Sequence, residues 1–206
     1  MYNLSAIQKI LENRKSGILG STSMNSAVIV PLIYIDNELS VLFEVRSKQL
    51  NKQPGEICFP GGRIDSTDPS AEAAALRELT EEIGIPKQDM TIMAPLDVLV
   101  TPFRGVIYPF LAELRSLEEL NINQKEVDHI FTVPLSYLHQ HKPAVHTMKI
   151  HFEPGEGFPL NQVPNKQAYT KRYEEIPEYF YYYQDYVIWG LTARILAHFL
   201  DLLKRI

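Results

Sequence analysis

Four of the nine side chains in "LRELTEEIG" (76–84) are ionised at neutral pH. On a helix, Glu78 and Glu82 stack at i,i+4, with Glu81 beside them at i,i+3. Carboxylates placed this way repel, and near a helix C-terminus the macrodipole makes negative charge less welcome still. A solvated acidic face is the ordinary alternative. The chemistry that would make the arrangement useful is divalent-cation binding, because Mg²⁺ and Mn²⁺ prefer carboxylate oxygens and bridge to substrate phosphates. Arg77 fits the same picture, since its planar fork can hold a carboxylate and fix its direction.

A helix with firm ends must present these groups. The sequence predicts one over 69–83, with Asp68 as N-cap, Pro69 in the first helical position and Glu72 complementing the dipole. Gly84 suits the left-handed terminal position, and Pro86 stops the helix. Ala71, Ala74 and Ala75 allow close packing on a sheet, with Leu79 and Ile83 as core anchors. Just upstream, "FPGGRID" (59–65) follows the strand-like "EICF". Its paired glycines allow a tight turn whose backbone can approach a metal or phosphate.

Other elements follow from periodicity. "SAVIVPLIYI" and "LSVLFEVRS" read as strands joined by turn-forming "DNE", and "TIMAPLDVLVTP" and "GVIYPFLAEL" as a second pair around "TPFRG". "HIFTVPL", "AVHTMKIHFEP" and "EYFYYYQDYVIWG" are further strand candidates. The aromatic run "YFYYYQDY" reads as alternating strand aromatics, since no basic residues lie near it to suggest base stacking. Helical period marks residues 3–15, where Leu4, Ile7, Ile10 and Leu11 share a face. It also marks about 187–205, with Ile188, Leu191, Ile195, Phe199 and Leu202 in one stripe. Residues 153–166 read as a loop or flap. Length and pattern predict one α/β domain over 1–206.

With 206 residues and 45% hydrophobic content the chain can bury a real core. Its net charge of −5 argues against nucleic-acid or anionic-membrane partners, so an anionic substrate would need a bound cation or a local basic cluster. The apolar runs are strand-length, and the N-terminus has no signal-like h-region, which together predict a cytoplasmic protein. The single Cys58 reads as a small buried hydrophobe. The six histidines show no ligand spacing, and His139 and His141 fall in a predicted loop.

"GGRIDSTDPSAEAAALRELTEEIGI" resembles the Nudix box, matching it at Gly62, Arg77, Glu78, Leu79, Glu81, Glu82, Gly84 and Ile85. The Gly62–Arg77 interval is one residue longer than the common form, and the first acidic position falls on Asp68. Upstream, "LFEVRSKQLNKQPGEICFPGG" resembles the signature of Nudix coenzyme A diphosphatases at Leu42, Arg46, Ser47, Gly55, Phe59, Pro60, Gly61 and Gly62. Where that signature has a later arginine, this chain has Asn51 followed by Lys52. The likeness spans about 27–138 and 186–198.

The resemblance implies a Nudix-type α/β/α sandwich with a mixed β-sheet, its box at 61–85. It implies hydrolysis of the diphosphate of coenzyme A or its thioesters, with Mg²⁺ or Mn²⁺, to 3′,5′-ADP and 4′-phosphopantetheine products. Glu78, Glu81 and Glu82 would be metal ligands, joined by the Gly61 carbonyl. Arg77 would orient the glutamates rather than touch substrate; the water-activating base would be either a box glutamate (Glu81 or Glu82) or a downstream acid, for which Glu126 is the candidate. Arg46, Lys48 and Lys52 form the basic cluster, suited to the 3′-phosphate of coenzyme A. The expected partner is a small nucleoside diphosphate, and a homodimer is compatible with the reading. Alternatives are a Nudix hydrolase of a dinucleotide, ADP-ribose or nucleotide sugar, and a non-catalytic Nudix ligand-binding regulator.

Overall fold

A computed structural model describes residues 3–14, 18, 25–101, 105–118, 120–166 and 173–204. Strands β1 (Ser26–Ile35) and β2 (Glu38–Arg46) form an antiparallel hairpin. Asp36 and Asn37 both turn through positive φ between them, which short Asp and Asn side chains tolerate. β3 (Ile57–Cys58) pairs with β2, and β4 (Gly61–Arg63) with β1, so the paired glycines expected to form a tight turn lie in a strand instead. β5 (Met90–Pro95) and β6 (Leu99–Thr101) both lie antiparallel on β7 (Gly105–Leu114), which runs parallel to β1. β8 (Val127–Pro134) pairs with the other edge of β2, so the eight-stranded sheet is mixed. A separate antiparallel sheet joins β9 (Ala144–His151), β10 (Tyr173–Tyr183) and β11 (Tyr186–Trp189).

Strand alternation on β1 and β2 divides the core in two. Ala27, Ile29, Ile33 and Leu42 face helix α2 (Ala71–Ile83), where they pack with Leu79 and Ile83. Val30, Leu32, Val41 and Phe43 face the opposite way, toward Leu196 and Phe199. Those two belong to the C-terminal helix, α4 (Gly190–Leu203), which follows the short α3 (Leu135–Gln140) in the chain. Helices thus cover both faces of a mixed sheet, the expected sandwich. Tyr179, Tyr181 and Tyr183 pack into the α4 side while Tyr182 points outward, so the aromatic run alternates as a strand should.

Several predicted boundaries shift. The box helix begins at Ala71, two residues late, and its N-cap is Ser70, whose hydroxyl accepts from the Ala73 N–H at 3.1 Å. Asp68 is drawn away to an arginine. The C-terminal helix starts at Gly190, because the β-branched and aromatic "YVIW" completes a hairpin with β10 instead. Ile188 is still buried, but from a strand. The N-terminal helix, α1, spans Leu4–Leu11, capped by Asn3, and its apolar stripe is exposed: Leu4 is 86% accessible. Residues 153–166 form a loop with one 3₁₀ turn. Lys15, Arg205 and most of "TPFRG" lie outside the described residues. Among the described residues no helix is long and apolar enough to cross a membrane.

Ser70→Ala should lower stability by about 1 kcal/mol through the lost cap. Leu79→Ala should cost about 2–5 kcal/mol through an emptied core position. Chemical denaturation would rank the two. An Asp68→Ala loss matching Ser70→Ala with Arg77 already removed would reinstate Asp68 as the cap.

Candidate active site

Arg77 is the hub of the box. Its Nε and Nη2 grip both oxygens of Asp68 at 3.1 and 3.0 Å, and Nη2 also donates to the Arg63 carbonyl at 3.2 Å. Nη1 donates to Glu78 Oε1 at 2.9 Å and to Glu81 Oε2 at 3.0 Å. All five guanidinium N–H donors are therefore engaged, and none is left for a ligand. Asp68 thus anchors Arg77, and the guanidinium holds its carboxyl below the usual range. In the same loop Asp65 N–H also donates to the Asp68 carboxylate and Asp68 N–H to the Asp65 carbonyl.

The glycines bring this helix against the sheet. A Cβ on Gly61 (φ +149°) would sit 2.3 Å from the Ala27 carbonyl oxygen, and one on Gly62 would sit 2.5 Å from the Glu78 carboxyl carbon. Beside them, Glu82 accepts the Gly61 N–H at 2.8 Å while only 4% exposed. At the far end Gly84 takes φ 74°, and the Asn121 and Asn123 amides bond the Ile83 and Glu82 carbonyls. The same segment turns back through Glu126, whose carbonyl accepts from Ser47 N–H at 2.8 Å. Glu126 is exposed at that turn, yet its charge is felt by Glu78 and Glu82.

Burial raises the carboxyls of Glu78 and Glu82 above the usual range, Glu82 strongly. A fourth acid, Glu44, is fully buried on the α2 face of β2 and pushed up to about 7, chiefly by desolvation. Its Oε1 accepts the Cys58 thiol at 3.0 Å. Cys58 is therefore half-buried and hydrogen-bonded rather than a plain hydrophobe, and burial pushes its thiol up. The sequence reading missed Glu44. The available signal was a lone acid inside the apolar "VLFEVR", in phase with core-facing Leu42.

Among the described residues no three Asp, Glu, His or Cys side chains converge on one point. Arg77 draws Glu78 and Glu81 to itself, and Gly61 holds Glu82. The donor set still fits a hard dication: it is all oxygen, three carboxylates share one helical turn, and the buried Glu44 Oε2 has no partner. Arg77 and such an ion would compete for the same oxygens.

A cavity of about 770 Å³ meets the box at Gly61 and Gly62. Arg46 lines it, with its buried Nε unpartnered, and so does Arg194 of α4, which the sequence reading overlooked. Ile150, Ile176, Trp189 and Leu191 supply apolar wall. Lys48 and Lys52 are exposed and outside that lining, so the structure brings only Arg46 of the predicted basic cluster into the cavity.

A family model described as NUDIX domain matches residues 25–179. An uncharacterized Nudix hydrolase, NudL, from Photorhabdus laumondii is 34% identical over 185 residues, covering 86% of this chain and 84% of its own. The mouse peroxisomal coenzyme A diphosphatase NUDT7 is 31% identical, covering 84% and 68%. The human mitochondrial coenzyme A diphosphatase NUDT8 is also 31% identical, covering 87% and 69%. The organelles in these two names differ, and neither supports the cytoplasmic expectation.

The raised carboxyls give a pH prediction. Each binds its proton more tightly folded than unfolded, so the stability it contributes is present below the unfolded value and is lost as pH rises through the folded one. In EDTA the melting temperature should therefore fall between about pH 4.5 and 7, the window set by Glu44. Glu44→Gln should flatten that slope. A melting temperature that climbs across the window would contradict the burial argument.

Proposed function

The chain belongs to the Nudix hydrolase family, and on that basis we propose that it hydrolyses the diphosphate of coenzyme A or its thioesters. The products would be 3′,5′-ADP and a 4′-phosphopantetheine. The observation that carries this reading is the meeting of a long, partly apolar cavity with the acidic helix at Gly61–Gly62. A diphosphate at that junction would lie beside the box acids, with room along Ile150, Ile176 and Trp189 for a pantetheine arm. The coenzyme A diphosphatase names of two relatives support it.

Nudix hydrolases generally use divalent metals, which when bound neutralise phosphoryl oxygens and make water a stronger nucleophile. In this proposal Glu78, Glu81, Glu82 and the Gly61 carbonyl hold Mg²⁺ or Mn²⁺. Arg77, with every donor engaged, sets the direction of Glu78 and Glu81 and makes no substrate contact. Glu126 accepts the proton of the attacking water from the turn beside Glu78 and Glu82. Arg46 offers its free Nε to the anionic part of the ligand in the cavity. Lys48 and Lys52, outside the cavity, suit a 3′-phosphate that projects toward solvent.

Product analysis on a diphosphate panel, with Mg²⁺, Mn²⁺ or EDTA, tests the reading. Coenzyme A should give 3′,5′-ADP, and EDTA should abolish turnover. A higher kcat/KM on ADP-ribose or a dinucleotide would move the protein to another Nudix substrate. Glu82→Gln should lower kcat by roughly 10²-fold or more.

Dephospho-coenzyme A isolates the 3′-phosphate. A charge-assisted contact should favour coenzyme A by about 10-fold or more, shrinking with salt where the contact is exposed. Lys48→Ala with Lys52→Ala should erase that preference, and equal wild-type rates would remove the cluster from 3′-phosphate recognition.

A further inference from the structure

Glu44 is an unusual group to leave in a protein interior. It is fully buried, and a carboxyl there needs either a cation or a full set of hydrogen bonds. It has neither among the described residues. A thiol, a weak donor, reaches Oε1, while Oε2 is buried and unpartnered. The side chain leaves β2 on the same face as Leu42, toward the C-terminal half of α2. The charges it meets there include the like ones Glu78, Glu126 and Glu82, opposed by Arg46. Arg46 forms no ion pair with it, and its own buried Nε is also unpartnered.

An unpartnered acceptor among like charges is what a cation would resolve. We infer that Glu44 is a further carboxylate of the metal site, binding a divalent cation in common with Glu82 from the sheet side of the box. This rests on reading the box as a metal site, and not on the choice of coenzyme A as substrate. Mg²⁺ or Mn²⁺ needs only one or two carboxylates beside its retained waters, which Glu44 and Glu82 can supply. The paired orphans Glu44 Oε2 and Arg46 Nε would then serve an ion and the anion bound to it.

The test is Mn²⁺ binding without substrate, read by electron paramagnetic resonance of the free ion and by the metal-induced rise in melting temperature. Glu44→Gln keeps shape and removes charge. It should raise the Mn²⁺ dissociation constant by about 10-fold or more, or remove one ion per chain. Unchanged affinity and stoichiometry in the folded variant would overturn the assignment. Should that variant not fold, Glu44→Asp decides, since it keeps the charge and shortens its reach: it should also raise the Mn²⁺ dissociation constant by about 10-fold. Wild-type Mn²⁺ affinity in the folded Asp variant would overturn the inference. A wild-type chain that binds no Mn²⁺ would sink the metal reading of the whole box.

Discussion

The geometry of the acidic helix depends on one saturated guanidinium. Arg77 ties the loop (Asp68), strand β4 (the Arg63 carbonyl) and the helix (Glu78 and Glu81) into one unit. Without that cation, two neighbouring carboxylates on one helical turn would be free to splay apart. A lysine could not reproduce the arrangement, since it has three donors on a point charge and no plane. Electrostatic cost is thus concentrated deliberately at one place, and the surrounding apolar packing, with Leu79 and Ile83 fully buried, holds it there.

The glycine-bearing strand β4 is the second constraint. Gly61 and Gly62 are positions where backbone and carboxylate come closer than any Cβ permits. Glu78 thus lies directly against Gly62, and Glu82 accepts the neighbouring Gly61 amide. Further along, the loop amides that finish the helix belong to the same segment that turns through Glu126. The acid candidates from helix and loop are therefore fixed to each other through backbone hydrogen bonds rather than through long side chains.

Much of this was readable from residue order. The helix anchors, the left-handed Gly84 and the strands β1 and β7 follow from periodicity and turn chemistry that no tertiary contact overrides. Asp68 was misread because good N-cap chemistry and good arginine-anchor chemistry are the same chemistry; only the fold shows which partner is near. "YVIW" carries both an apolar helical stripe and strand propensity, and the neighbouring β10 decided it. Glu44 was hidden because its significance lies in what surrounds it across the sheet, and a lone acid in a strand ordinarily faces water. Arg194 reaches the cavity only through the docking of α4.

The two-sided core has a consequence for how such a chain can diverge. The acidic helix packs on one face of the large sheet, while the apolar cavity wall is drawn from α4 and the small sheet on the other. Substitutions in one cluster share few partners with the other, so their effects should be nearly independent. With the ligand in the cavity as proposed, substitutions at Ile150, Ile176 or Trp189 would alter preference while the acidic helix keeps its geometry. On the proposed reading the fold would keep choice of substrate apart from chemistry, the two meeting only where the cavity touches the acidic helix at Gly61 and Gly62.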